Sequence, residues 1–382
     1  MDSPSNTEFT WTIRTNQIWG RMETGLALVV LLVLSLAWVN GANDVAKGVA
    51  TLAGSGVAGA RPAIIWGTLC TVLGGLMAVL WGAALLTAFA GGYLNDNFDA
   101  TRVFVAGAVA GAAAWVLVAT RLRLPVSTTH ALLGGIVGAA LASSGSEGLA
   151  LSAVTHMALA PLLISPLVAI VLCWLLLIVV RRMERRFPAW SPGCCAREDW
   201  ERNPYVCDPD PGRRAVAPAI SPRVLRLWNI LHWLSSGATS FARGLSDVPK
   251  IAALLLPLFA LAPGSAPVWP IVAVALAMGL GSLWGGFRLL PVLAQRVTRM
   301  DARTGLIANV GTSALVLAAA PLGLPVSTTH VSTGALMGIR FGDRAPPERA
   351  DALKLILFGW VITLPVAAMI AAGVCLAGNA WR

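Results

Sequence analysis

A chain of 382 residues that is 57% hydrophobic, 12% charged and of mean hydropathy +0.73 is excluded from the soluble class, where charged residues make up about a quarter of the chain. Its net charge of +10 does not signal nucleic acid. The basic residues gather beside apolar spans, as in Arg181-Arg182 and Arg185-Arg186, and that is the positive-inside mark of cytoplasmic loops.

The first 21 residues are polar, carry Asp2 and Glu8, and lack the basic n-region of a signal peptide. Trp11, Ile18 and Trp19 suit an interfacial segment ahead of a retained first helix. A span needs about 20 apolar residues, so the runs Met22–Asn40, Pro62–Ala90, Val103–Ala119, Leu151–Val180, Val268–Leu293 and Ala352–Ala377, with shorter pieces between them, predict an all-α polytopic membrane protein of about 10–12 membrane-inserted elements. The polar stretch 181–223, rich in Arg and Pro, reads as a cytoplasmic loop between two membrane repeats, 22–180 and 224–382. Cys194, Cys195 and Cys207 in that loop lack a four-ligand spacing, and Cys70, Cys173 and Cys375 lie in apolar spans, so reduced thiols are expected.

Two motifs recur. Asn40-Gly41-Ala42-Asn43-Asp44-Val45-Ala46-Lys47 is matched by Arg243-Gly244-Leu245-Ser246-Asp247-Val248-Pro249-Lys250 at a shift of 203, and Leu124-Pro125-Val126-Ser127-Thr128-Thr129-His130 by Leu324-Pro325-Val326-Ser327-Thr328-Thr329-His330 at a shift of 200. Common order at nearly one shift means internal duplication. Polar breaks at corresponding places in duplicated halves point to a secondary transporter with its site at the repeat interface. Whether the halves are inverted or parallel depends on crossings that the apolar runs alone do not count.

A carboxylate inside an apolar span is costly unless it has a task. Asp44 and Asp247, beside Asn43 and Ser246, are therefore candidate cation ligands; capping of the next helix segment is the simpler alternative for either one alone. The neighbouring glycines are expected to let the backbone unwind and add carbonyl ligands. Lys47 and Lys250 follow three residues later, on the same helical face, where ion pairing outranks anion attraction. The Ser-Thr-Thr triplets can cap a helix start or, with its free N–H groups and dipole, cage an oxyanion; their duplication favours Ser127, Thr128, Thr129, Ser327, Thr328 and Thr329 as substrate contacts. His130 and His330 are read as structural. Arg288 either supports the charge of the site or snorkels to the interface.

Gly-Ala-Asn-Asp-Val-Ala and the two Leu-Pro-Val-Ser-Thr-Thr-His segments resemble the PiT family of inorganic phosphate transporters, with motifs in the family's order from about Gly41 to Met337. The resemblance implies two inverted repeats with broken helices and re-entrant hairpins, a multi-pass place in the inner (plasma) membrane, often a homodimer, and symport of phosphate with Na+ or H+ without a cofactor. It assigns Asn43, Asp44 and Asp247 to the cation and the triplets to phosphate. The second motif departs from the family's usual His-Gly-Ala-Asn-Asp. Ser246 is a weaker oxygen ligand than asparagine, which points to fewer sodium ions, or to protons. Sulfate on the same fold is the nearest alternative; a channel, or an intramembrane enzyme on phosphate esters, follows less well, because neither a nucleophile–base pair nor a divalent-metal site is evident.

Overall fold

The computed structural model describes residues 24–187, 222–259, 268–295, 301–343 and 350–380. The N-terminal polar segment and most of the inter-repeat loop, with its three cysteines, lie outside the described residues. Two sets of six helices follow one another in matching order among the described residues. The first set is α1 (Thr24–Gly54), α2 (Ala60–Trp81), α3 (Ala83–Ala90), α4 (Arg102–Arg121), α5 (Thr128–Ser144) and α6 (Ala160–Arg186), the last entered through a π-helical turn, Ala153–Leu159. The second is α7 (Pro222–Ala252), α8 (Val268–Gly285), α9 (Leu290–Gln295), α10 (Ala302–Ala319), α11 (Thr328–Asp343) and α12 (Ala350–Ala380). Seven helical stretches among the described residues are long and apolar enough to cross a membrane. The chain is an all-α, multi-pass membrane protein.

Helix packing exchanges partners between the halves. α1 packs on α8 and α7 on α2, while α5 packs on α12 and α11 on α6. Glycines make the first pair of crossings close. A Cβ on Gly41 would strike the Met278 carbonyl, and one on Gly281 the Trp38 carbonyl; in the other half Gly244 meets Thr71 O and Gly74 meets Phe241 O. Small residues that bring backbones together are how helices associate where lipid offers no hydrophobic drive.

α4 and α5 form a hairpin. Asn95, just before α4, donates its side-chain amide to Glu147 O just after α5, and Leu94 bridges to Leu149. Both arms thus end near the start of the 34-residue helical stretch Ala153–Arg186, about 50 Å long at 1.5 Å per residue. The α10–α11 hairpin ends at the other extremity of that stretch. Arg303 pairs with Glu184 at 2.8 Å, and Arg181 donates to Gly342 O. The hairpins therefore enter from opposite ends of α6, and their Leu-Pro-Val-Ser tips meet between them: the His130 and His330 rings lie 4.3 Å apart, and Thr329 donates to Val126 O at 2.9 Å.

One expectation is corrected. α1 runs unbroken through Asn40–Gly48, and α7 through Arg243–Lys250, so the Asp motifs lie within continuous helix, the second near the end of α7, rather than at an unwound break. Glycine there serves the close crossings instead. The breaks fall at Gly82, between α2 and α3, and at the 3-10 turn Gly286–Arg288, between α8 and α9.

Candidate functional site

Each tip is non-helical from Leu through Pro and Val to Ser, at 124–127 and 324–327, and the serine restarts the helix. Ser127 Oγ accepts from His130 N at 3.1 Å, and Ser327 Oγ from His330 N at 3.2 Å, which is ordinary N-capping. The hydroxyls of both serines are thus engaged by their own helices. His130 Nδ1 turns back to Ser127 Oγ at 3.0 Å. His330 Nδ1 lies 3.5 Å from Leu162 O, a carbonyl left without its helical donor by Pro166.

The hydroxyls of Thr329 and Thr129 reach lysines of α1 and α7. Lys47 Nζ pairs with Asp44 Oδ1, donates to Val126 O at 2.8 Å on its own half's tip, and bonds Thr329 Oγ1 of the opposite half. Lys250 Nζ repeats the pattern with Asp247 Oδ1 at 3.3 Å, Val326 O at 3.1 Å and Thr129 Oγ1 at 2.9 Å. Each lysine thereby ties its own half's tip to a threonine of the other half. All four charged side chains are buried. Ion pairing at i,i+3 is what the spacing favours, and a charge buried without a partner would cost several kcal/mol.

Asn43 Nδ2 donates to Thr120 Oγ1 at 2.9 Å and Leu124 O at 3.3 Å, fixing α1 against the first tip. The second half has no such tie, because Ser246 replaces the amide and Ala320 stands where Thr120 does. Ser246 and Thr328 are also buried. Arg243 is the third cation. Its Nη2 donates to Thr71 Oγ1 at 2.7 Å, and its charge acts on both Asp44 and Asp247. Arg288 is not part of the site: it is exposed and stacks over Trp284 at 4.9 Å, because the turn that breaks α8 from α9 points it outward.

Several buried polar atoms here lack a hydrogen-bond partner: Asp247 Oδ2, Asn43 Oδ1, Thr128 Oγ1 and two nitrogens of Arg243. Clustered orphans of both signs in a native interior mark a place made for a polar occupant.

The surroundings of the two lysines differ. Lys47 opens on a narrow cavity whose polar wall is Thr51, Asn309, Thr312 and Ser332. Asn309 is held by Thr51 and Ser235, and Ser55 lies 3.4 Å from His232 beyond them, so hydroxyls and amides continue toward the end of α1. In the repeat, the positions matching Thr51, Asn309, Thr312 and Ser332 are Leu254, Val109, Ala112 and Leu132, all in the apolar core. Sequence reading missed Thr51, Thr71, Thr120 and Asn309. They belong to no motif, and their only signal was a polar side chain inside an apolar run.

The sequence pattern of the phosphate transporter family matches residues 40–371, from the first Asp motif to well into α12. This chain belongs to that family. It is 28% identical over 351 residues to the "Probable low-affinity inorganic phosphate transporter" of Rhizobium meliloti, covering 90% of this chain and 93% of the relative. It is 27% identical to a Mycobacterium tuberculosis protein of the same description, covering 91% and 76%. Among solved structures, one described as "The sodium-dependent phosphate transporter" shares the fold with a TM-score of 0.81 at 20% identity, over 94% of this chain and all of that one. All three are described as phosphate transporters.

Proposed function

We propose that this chain is a secondary active transporter that carries inorganic phosphate across the inner (plasma) membrane in symport with a cation. The carrying observation is the crossed arrangement at the meeting tips, where Lys47 and Lys250 each link an aspartate of their own half to a threonine of the other. Three buried cations, Lys47, Lys250 and Arg243, face two carboxylates, Asp44 and Asp247. At their usual charges the surplus is one positive charge, which a single monovalent phosphate neutralises. The start of α5 with Thr128, and that of α11 with Thr328, supply N–H and O–H donors for a dehydrated tetrahedral oxyanion. Thr129 and Thr329 hold the two lysines beside that place, so their charge faces the anion. The descriptions of the relatives support phosphate, and the sodium dependence ascribed to the fold neighbour supports cation coupling.

We further infer that the halves are inverted across the bilayer. Their hairpins enter from opposite ends of α6, and Arg-rich 181–186 marks its C-terminal end as cytoplasmic. On this reading the hydroxyl-lined route from Lys47 through Asn309 leads to the cytoplasm, and the apolar packing at the matching positions of the repeat closes the outer side. Alternating access then exchanges the roles of the two hairpins.

The test is uptake of labelled phosphate by proteoliposomes under imposed cation gradients, with sulfate as competitor. Asp44→Asn is expected to abolish concentrative uptake while the protein still inserts and folds. Full uptake by that variant defeats the assignment, and equal inhibition by sulfate widens the substrate to tetrahedral oxyanions.

A further inference from the structure

The two lysines sit inside closely similar oxygen cages. Around Lys47 Nζ stand one carboxylate oxygen (Asp44), one backbone carbonyl (Val126, 2.8 Å) and one threonine hydroxyl from the other half (Thr329). Around Lys250 Nζ stand Asp247, Val326 O at 3.1 Å and Thr129 Oγ1 at 2.9 Å, ligand type for ligand type. A charged oxygen, a carbonyl and a hydroxyl at a repeat interface form the kind of hard donor set that holds an alkali cation in transporters. In this chain each set closes on an ammonium group covalently tied to α1 or α7.

We propose that Lys47 and Lys250 are tethered cations that fill the two cation cages, so that phosphate transport by this chain neither binds nor requires sodium. The proposal rests on the transport reading above and specifies its coupling. An alkali ion entering either cage would have to displace an ammonium group of like charge and leave it without these acceptors. The positions that match the polar wall beside Lys47 are Leu254, Val109, Ala112 and Leu132, all in the apolar core, so the second half offers Lys250 no matching polar route. Lys47 is held by three acceptors at once. A diffusible ion leaves with its substrate, whereas a tethered one stays, so the positive charge that attracts phosphate is permanent and independent of external sodium. The co-transported cation of the symport is then the proton rather than Na+.

The experiment uses the full chain in nanodiscs and proteoliposomes. Equilibrium binding of radioactive sodium is measured on the natural chain and on a Lys47→Asn/Lys250→Asn double variant, and phosphate uptake is compared in sodium and choline media. The natural chain is expected to show no saturable sodium binding and equal uptake in both media. The double variant, its cages emptied of ammonium, is expected to bind sodium saturably and to lose about tenfold in uptake when choline replaces sodium, within the usual range of coupling between two ligands. Saturable sodium binding by the natural chain, or uptake that stops in choline, overturns the proposal. If the double variant does not fold, binding to the natural chain decides alone. Failure of phosphate uptake under every gradient refutes the transport reading instead, and the sodium-binding result still decides the lysine assignment.

Discussion

Asp247→Asn tests the energetics of the site most directly. In the Asp247–Lys250 pair the side chains are 4% and 1% exposed, so the carboxylate balances an ammonium that has no access to water. Removing one partner of a buried pair costs about 3–5 kcal/mol, because the other charge is left uncompensated. Lys250 keeps its bonds to Thr129 and Val326, which puts the expected loss near the lower figure. At roughly 2 °C per kcal/mol for a large domain, the unfolding midpoint should fall by about 6 °C. Asp247→Asn/Lys250→Gln removes both charges and should recover most of that loss, while phosphate uptake stays abolished in both variants. The assay is fluorescence-monitored thermal unfolding of purified protein in nanodiscs, run beside uptake. The reasoning fails if the single variant unfolds at the natural temperature, or if the double variant is no more stable than the single.

The tip residues should separate by role: Ser127→Ala removes a cap and lowers stability by about 1 kcal/mol, whereas Thr128→Val, losing a buried hydroxyl that has no protein partner, should leave the midpoint unchanged and raise the phosphate KM; the opposite pattern would reverse the two assignments. Gly244→Ala drives a Cβ into the backbone of α2 at Thr71 and Gly75, so an overpacking loss of about 1–3 kcal/mol and a fall in transport rate are expected, and a neutral effect in thermal unfolding would deny the close crossing. Asn309→Leu gives the Lys47 side the apolar character of the matching positions in the other half; uptake should fall several-fold, with a stability loss of about 1–3 kcal/mol because the buried Thr51 and Ser235 hydroxyls lose their partner, and normal uptake would remove the polar route from the mechanism.

The sequence alone determined the class, the duplication and the residues to watch. Apolar runs long enough for a bilayer, interrupted by the same two polar motifs about 200 residues apart, can be read without coordinates, because burying an Asp or a Lys in a membrane is so costly that its mere presence is a signal. The i,i+3 spacing likewise foretold the Asp44–Lys47 and Asp247–Lys250 pairs, since one helical turn sets that distance. Composition did not tell that the Asp motifs lie within unbroken helices. Glycine permits an unwound backbone and a close helix crossing equally well, and only the partner helix, α8 for Gly41 and α2 for Gly244, decides between them. Nor did any linear pattern show that each lysine reaches the other half's threonine, that Arg243 rather than Arg288 faces the aspartates, or that Thr51 and Asn309 line one side alone. Those relations join residues far apart in the chain, and they arise only when two hairpins entering from opposite ends bring their tips together.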